Sequence, residues 1–277
     1  MAELGPEEGR ALCEALEGPA PTSVRLHPQR PCRWSGAEAI PWSSAGRYLT
    51  ERPLFTLDPA FHAGAYYVQE ASSQFVGHLL AAVRTEGARI LDLCAAPGGK
   101  TTLYASLAGP DGLVVANEID RRRAQVLADN VRKWGTGNVA VTTCEPRQLG
   151  DFEAWFDMVA VDAPCSGEGM FRKDAQARAE WSEGNVKLCA ARQDGILREA
   201  WRALKPGGRL IYSTCTFNRD EDEGALERML AWAGDEVAEA EDMAVDGAWG
   251  IVCGRVGAFR TYRFYPYRAD RKSTRLN

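Results

Sequence analysis

The chain has 277 residues, 45% of them hydrophobic, which is enough for one large domain with its own core and a small N-terminal addition. No run of about eighteen apolar residues occurs, so a membrane-spanning helix is excluded; residues 1–16 carry several acids and lack the basic-then-apolar pattern of a signal peptide, which points to a cytoplasmic protein. The net charge of −5 is unfavourable for phosphate binding but does not decide for or against a nucleic-acid partner.

In chain order, residues 7–17 suit a helix, and Pro19, Pro21, Pro28, Pro31, Pro41, Pro53 and Pro59 then argue for short strands and turns. Residues 1–67 thus read as a small α+β cap or adaptor. From about residue 70 helices alternate with short apolar runs. Residues 72–84 form a helix striped by Phe75, Val76, Leu79, Leu80 and Val83. Residues 89–93 (RILDL) are a first strand, followed by a Gly-rich turn and a helix from about Lys100. Residues 113–117 (LVVAN) are a second strand, followed by a helix over 121–134. Residues 139–143 are a third strand and 158–162 (MVAVD) a fourth. A helix around 185–204 leads through Lys205-Pro206-Gly207-Gly208 into a fifth strand, 209–214. This alternation indicates an α/β fold with a parallel, doubly wound, Rossmann-like sheet.

The eight cysteines contain no C-x-x-C pair, and His27, His62 and His78 lie away from most of them, so reduced thiols and no metal site are expected. In a doubly wound sheet the ligand lies beyond the carboxyl ends of the strands, so the residues there carry the most information. After the first strand stands Cys94-Ala95-Ala96-Pro97-Gly98-Gly99-Lys100-Thr101. Its glycines let the backbone approach a ligand; a Walker A loop would need Gly where Cys94 stands, and an ordinary tight turn would also explain the glycines. Glu118 closes the second strand roughly 20 residues further on, where an acid suits a ribose hydroxyl pair. Asp162-Ala163-Pro164-Cys165-Ser166-Gly167 follows the fourth strand and Ser213-Thr214-Cys215-Thr216 the fifth. A single cysteine is more often a buried structural thiol; two after successive strand ends shift the reading toward chemistry.

The segments LDLCAAPGGKTT, ANEID, VDAPCSGEGMFRKD, NVKLCAARQ and LKPGGRLIYSTCTFNRDEDE resemble the successive motifs of the Nop/Sun-type RNA cytosine-C5 methyltransferases, and most of all the bacterial branch that modifies small-subunit ribosomal RNA. FHAGAYYVQEASS resembles the stretch preceding the cofactor motif in that family, and the resemblance runs from roughly residue 20 to 268. It implies a class I methyltransferase domain over 68–268, S-adenosylmethionine as cofactor, and an RNA partner, either small-subunit ribosomal RNA or a ribosomal particle. A monomer is expected.

Carbon 5 of cytosine is a poor nucleophile. A thiolate adding at carbon 6 makes carbon 5 enamine-like, and covalent catalysis thereby splits one hard step into easier ones. The resemblance gives Cys215 the nucleophile's role and has Cys165 assist in removing the carbon-5 proton or releasing the product. It places Asp162 at the cytosine edge or the cofactor's methionine end, with Lys100 nearby, and Glu145 facing the adenine. Asp162 could instead cap a turn, and a solvated loop glutamate would also explain Glu145. The expected cofactor contacts are Cys94, Ala95, Ala96, Pro97, Gly98, Gly99, Lys100, Glu118, Glu145 and Asp162. The target base must be single-stranded or flipped, and Arg123 and Arg172, in local basic clusters, are candidate phosphate contacts.

Two rivals share the sheet. An exocyclic-amine methyltransferase needs an Asn/Asp-Pro-Pro-aromatic turn where this chain has Asp162-Ala163-Pro164-Cys165. A DNA cytosine methyltransferase typically takes its nucleophile from the Pro-Cys turn. A third, of another class, is a catalytically impaired RNA-binding or ribosome-assembly factor of the same fold. Family members usually continue past residues 262–268 (YRFYPYR) with a Gly-rich strand, whereas this chain ends in Arg271-Lys272-Ser273-Thr274-Arg275-Leu276-Asn277. A truncated, atypical tail over 269–277 is therefore expected, leaving an unpaired sheet edge near the fifth strand.

Overall fold

The computed structural model describes residues 4–240 and 242–269, and the chain folds into two compact units. The first comprises Thr22–Ala163 and Gly195–Ser213; the second holds the described residues of Met1–Pro21, Pro164–Asp194 and Thr214–Asn277. The long helix Glu183–Ala203 is divided between them after Asp194.

The first unit opens with four short strands, β1 (Thr22–Leu26), β2 (Ala39–Ile40), β3 (Ser43–Leu49) and β4 (Tyr66–Val68). They form an antiparallel sheet in the order β2-β3-β1-β4. Val24, Phe55, Ala65 and Tyr66 fill its core. The antiparallel strands of the expected N-terminal α+β region lie here, whereas its helix Gly5–Glu17 belongs to the second unit; the prolines confine the strands to short pieces.

Five parallel strands follow: β5 (Arg89–Asp92), β6 (Leu113–Asn117), β7 (Val139–Thr142), β8 (Phe156–Asp162) and β9 (Leu204–Ser213), in the order β7-β6-β5-β8-β9. The central strands are covered on both faces, which is why they are nearly continuous apolar runs: Ile90, Leu91, Val114, Ala116 and Val159 are fully buried. The helix Arg121–Trp134 starts where expected because the Asp120 side chain accepts from the Arg122 and Arg123 amides. It buries Ala124, Leu127, Val131 and Trp134, one helical face, and ends at Gly135 with φ +76°.

Most element boundaries shift by a few residues from the sequence reading, and some differences are larger. The helix expected over 72–84 is Ala71–Ala81. The Lys205–Gly208 turn lies inside β9: Phe156 pairs with Leu204 and Met158 with Arg209, so the turn is an excursion between two paired stretches. It folds tightly, with Gly207 at φ +74° and Lys205 Nζ 2.5 Å from Asp157 Oδ1. The second unit also contains an antiparallel hairpin, β10 (Val252–Val256) and β11 (Phe259–Arg263), which was not foreseen. Its other helices are Gly5–Glu17, Ala175–Glu180, Glu223–Ala233 and the short Pro266–Ala269.

Residues 270–277 of the expected atypical tail lie outside the described residues. Among the described residues β9 forms one edge of the parallel sheet, no helix is long and apolar enough to cross a membrane, and no cluster of His, Cys, Asp or Glu could hold a metal ion.

Within the first unit Gly64 docks on the helix Arg121–Trp134. It has φ +65°, and a Cβ there would stand 2.0 Å from the Lys133 carbonyl oxygen, a rigid backbone atom. Gly64→Ala is therefore expected to cost about 2 kcal/mol or more in stability, from strain plus forced separation, measurable as a lowered midpoint in thermal or denaturant unfolding.

Candidate active site

At the carboxyl edge of the parallel sheet, each strand hands the chain to a turn whose backbone the neighbouring strand holds. Leu93 N donates to Ala160 O (2.9 Å) and Ala95 N to Asn117 O (2.9 Å), so the turn after β5 is pinned from both sides. Gly98 caps the next helix, Gly99–Ala108, with φ +108°, a conformation that favours glycine. A side chain there would meet Leu127 at 3.1 Å, and one at Gly99 would meet the Tyr67 ring at 3.3 Å. Cys94, Ala95, Ala96 and Pro97 complete this loop. Burial, reinforced by the Asp92, Asp162 and Glu118 carboxylates, pushes the Cys94 thiol up to about 12, so it stays protonated and is no nucleophile.

The expected acids occupy distinct positions around this turn. Lys100 Nζ lies 2.7 Å from Asp162 Oδ2, and Ser213 Oγ donates to Asp162 Oδ1 at 2.8 Å. The structure thus brings the expected Lys100 and Asp162 together as a pair of opposite charges. Glu118 is buried; it accepts from the Asp120 amide (3.0 Å) and faces Arg123 Nη1 (3.2 Å). Arg123, expected at an RNA phosphate, also donates to Ala96 O (3.1 Å) and so braces the glycine loop. Glu145 is exposed and forms a reciprocal capping box with Gln148 at the start of the helix Pro146–Gly150. Asn117 escaped the sequence reading: its amide bonds both the carbonyl (2.9 Å) and the amide (2.8 Å) of Cys144 and sets the turn after β7. The signal was a polar residue closing an otherwise apolar strand.

In the second unit the other two candidate cysteines meet. Cys165 Sγ and Cys215 Sγ are 3.2 Å apart, and the Cys215 amide approaches Cys165 Sγ at 3.3 Å. This separation is well beyond a disulfide bond of about 2.05 Å, so both are free thiols in contact. Cys215 is exposed and Cys165 partly so. The hydrogen bond to Cys215, together with burial, raises the Cys165 pKa.

A buried carboxylate fixes the segments carrying this pair. Glu221, with no exposed surface, accepts from the amide of Ser166 (2.9 Å), the Ser166 hydroxyl, Gln193 Nε2 (3.0 Å) and Asn218 Nδ2 (2.7 Å). Ser166 follows Cys165, and Asn218 also reaches Thr216 (2.7 Å), which follows Cys215. Gly169 N donates to Cys215 O at 2.7 Å, and a Cβ on Gly169 would come within 2.6 Å of that oxygen. Arg172, the other expected phosphate contact, donates to the carbonyls of Gly18 (3.1 Å) and Pro19 (2.7 Å). Ser166, Gln193, Asn218 and Glu221 were quoted in the sequence motifs without a role.

A doubly wound parallel sheet with a glycine turn after one central strand and a buried acid closing the next has the architecture of class I methyltransferases. The family model for 16S rRNA methyltransferase RsmB/F matches residues 79–273, and the model for the N-terminal domain of 16S rRNA methyltransferase RsmF matches residues 1–71. The chain belongs to the RsmB/F family of 16S rRNA methyltransferases. Ribosomal RNA small subunit methyltransferase F of Shewanella sp. (strain MR-4) is 40% identical over 215 residues, 76% of this chain and 45% of that protein. The chain therefore spans under half the length of the curated relatives it matches. Among solved structures, a methyltransferase homolog protein from Pyrococcus horikoshii is 30% identical with a TM-score of 0.70, covering 82% of this chain and 74% of that one. NSun6 from Pyrococcus horikoshii, solved with SFG, is 26% identical with a TM-score of 0.66, covering 81% and 54%.

Asp92, at the end of β5, is 1% exposed and accepts from Thr101 Oγ1 at 2.7 Å. Burial raises its carboxyl to about 7, so the folded state keeps a proton that the unfolded chain releases near pH 4. The folded state binds more protons across that window, so the contribution of Asp92 to stability is fully present below about pH 4 and is lost as pH rises toward 7. Asp92→Asn is expected to remove this slope: its Tm relative to wild type should climb between pH 5 and pH 8 in parallel melts.

Proposed function

We propose that the protein transfers a methyl group from S-adenosylmethionine to carbon 5 of a cytosine in small-subunit ribosomal RNA, with Cys215 as nucleophile, in the cytoplasm. The observation that carries this reading is the 3.2 Å contact between the Cys165 and Cys215 sulfurs. Covalent activation of a pyrimidine needs a thiol that adds and a second group that manages protons beside it.

The residues present fit the cofactor. Lys100 and Asp162 offer opposite charges to the carboxylate and ammonium of a methionine end, and the buried Glu118 carboxylate has acceptor capacity left for a ribose hydroxyl pair. When bound, S-adenosylmethionine supplies an electrophilic methyl group on a sulfonium. The Gly98–Gly99 backbone lets a ligand approach closely, and Arg123 holds both Glu118 and that loop in place.

At the thiols, the hydrogen bond to Cys215 and burial raise the Cys165 pKa, and a Cys165 S–H that donates across the 3.2 Å contact would stabilise a thiolate on Cys215. The thiolate adds to carbon 6 of cytosine, and the electron pair displaced from the ring double bond makes carbon 5 nucleophilic. Once methylated, carbon 5 carries a proton that must leave before the Cys215–carbon 6 bond breaks and the double bond returns. Cys215 is by then a neutral thioether, so Cys165, no longer beside a charge, can release its own proton to solvent and as a thiolate accept the carbon-5 proton; the C–H electron pair reforms the ring double bond and Cys215 leaves as a thiolate.

With radiolabelled S-adenosylmethionine and unmodified small-subunit ribosomal RNA or its particle, wild type is expected to form 5-methylcytosine. Cys215→Ala should lose at least about three orders of magnitude in rate, as removal of a covalent nucleophile does. Cys165→Ala should accumulate a protein–RNA adduct on denaturing gels. Methylation retained by Cys215→Ala would sink the assignment.

A further inference from the structure

The first unit contains a cavity of about 300 Å³ that the methyl-transfer reading does not use. Its walls include Arg52, Phe55, Phe61, Tyr67, Lys133 and Trp134, and its edge reaches Pro97. Among the residues expected around the cofactor only Pro97 borders it; Cys94, Glu118 and Asp162 do not. The volume is at the lower end of ligand pockets, roughly 300–1,000 Å³.

Three features of the lining point to one ligand chemistry. The walls are aromatic: the rings of Phe55, Phe61 and Tyr66 lie 6.0–6.4 Å apart, and Phe61 and Tyr67 are only partly buried. The rim is cationic. Lys133 Nζ sits 4.9 Å from the centre of the Phe61 ring and Arg52 5.7 Å from Phe55, and among the described residues neither has an acidic partner. Arg30 adds a third positive charge, held by the carbonyls of Ala63 (2.6 Å) and Lys133 (2.7 Å). No carboxylate lines the cavity, in a chain with 38 acidic residues and a net charge of −5. The wall nearest the glycine loop is rigid, because Tyr67 Oη (3.0 Å) and Asn130 Nδ2 (2.8 Å) both donate to Pro97 O.

Aromatic faces beside unneutralised cations are the chemistry of single-stranded nucleic-acid binding, in which bases stack and phosphates pair. We propose that this cavity of the first unit is a nucleotide-binding site, which takes one unstacked base of single-stranded RNA against Phe61 and Tyr67 while Arg52 and Lys133 meet the adjoining phosphates. The choice of RNA as ligand rests on the proposed function. The site would hold a nucleotide of the substrate other than the target cytosine, and so tie recognition of unpaired RNA to the N-terminal antiparallel sheet.

The test uses an RNA without cytosine, so that binding is read apart from chemistry. A fluorescein-labelled decauridylate is titrated into the full chain and followed by anisotropy, with a ten-base-pair A·U duplex for comparison. The single strand is expected to bind more tightly than the duplex. Phe61→Ala should weaken it roughly 5- to 150-fold, and Arg52→Glu and Lys133→Glu should each weaken it and flatten its salt dependence. The two charge variants replace surface charge rather than core packing, so they report on binding if Phe61→Ala loosens the fold. Photocrosslinking of a 5-iodouridine-substituted strand should label Phe61 or Tyr67. Unchanged binding in all three variants, crosslinks confined to other segments, or binding of decaproline in place of the oligonucleotide would overturn the proposal. A wild-type chain that methylates RNA but does not bind decauridylate sinks this site alone; one that binds decauridylate but does not methylate sinks the methyl-transfer reading alone.

Discussion

Parallel pairing in register is the constraint from which the chemistry of this chain follows. β5, β6, β8 and β9 run in one direction, with Asp92 opposite Ala116 and Asp162 opposite Ser213. All the turns that leave their carboxyl ends therefore start at one edge, where the ladder stops and polar groups need other partners. The loop after β5 takes its hydrogen bonds from β6 and β8, Asp162 takes Lys100 and Ser213, and Glu118 takes Arg123. The segments that continue from Asp162 and Ser213 carry Cys165 and Cys215, whose sulfurs touch.

Buried charge sets the rigidity of both parts. A carboxylate removed from water is tolerated only when its oxygens are satisfied, and it then ties down whatever satisfies it. Glu221 does this for the thiol-bearing segments by accepting from Ser166, Gln193 and Asn218. Asp92 shows the alternative: with one side-chain donor and nearby negative charges, it relieves its burial by shifting toward the protonated form. Asp222, also pushed up to about 7 by burial, lies 2.9 Å from Arg263 of β11, which also pairs with Glu223. The unforeseen hairpin is thereby fastened to the start of the helix Glu223–Ala233.

The sheet and its order of elements were legible because apolar runs and helical stripes follow directly from burial. β6 and the helix Arg121–Trp134 match the reading residue for residue, helped by Asp120 and Gly135 as punctuation. Lys205–Gly208 reads as a plain turn since Pro and Gly signal one, but only the partner strand reveals that pairing resumes on both sides. Glu221 was hidden in the charged run Arg219–Glu223, whose composition is that of a solvated turn. Sequence likewise shows basic residues without their acceptors: the guanidinium of Arg123 reaches Glu118 and Ala96, and that of Arg172 reaches Gly18 and Pro19. The motifs held the cysteines, Lys100 and Asp162, whereas the aromatic cavity joins residues too far apart in the chain for any motif to collect.

The central claim is that Cys215, and not its neighbour, bonds to cytosine. Its most direct test is an RNA in which the target cytosine carries fluorine at carbon 5, incubated with S-adenosylmethionine and the wild-type protein. Fluorine cannot leave as a proton does, so the reaction halts with the nucleophile still attached. Digestion and mass spectrometry of the trapped species should place the nucleotide on the peptide containing Cys215. Attachment to Cys165, or no covalent species while ordinary RNA is methylated, would contradict the account.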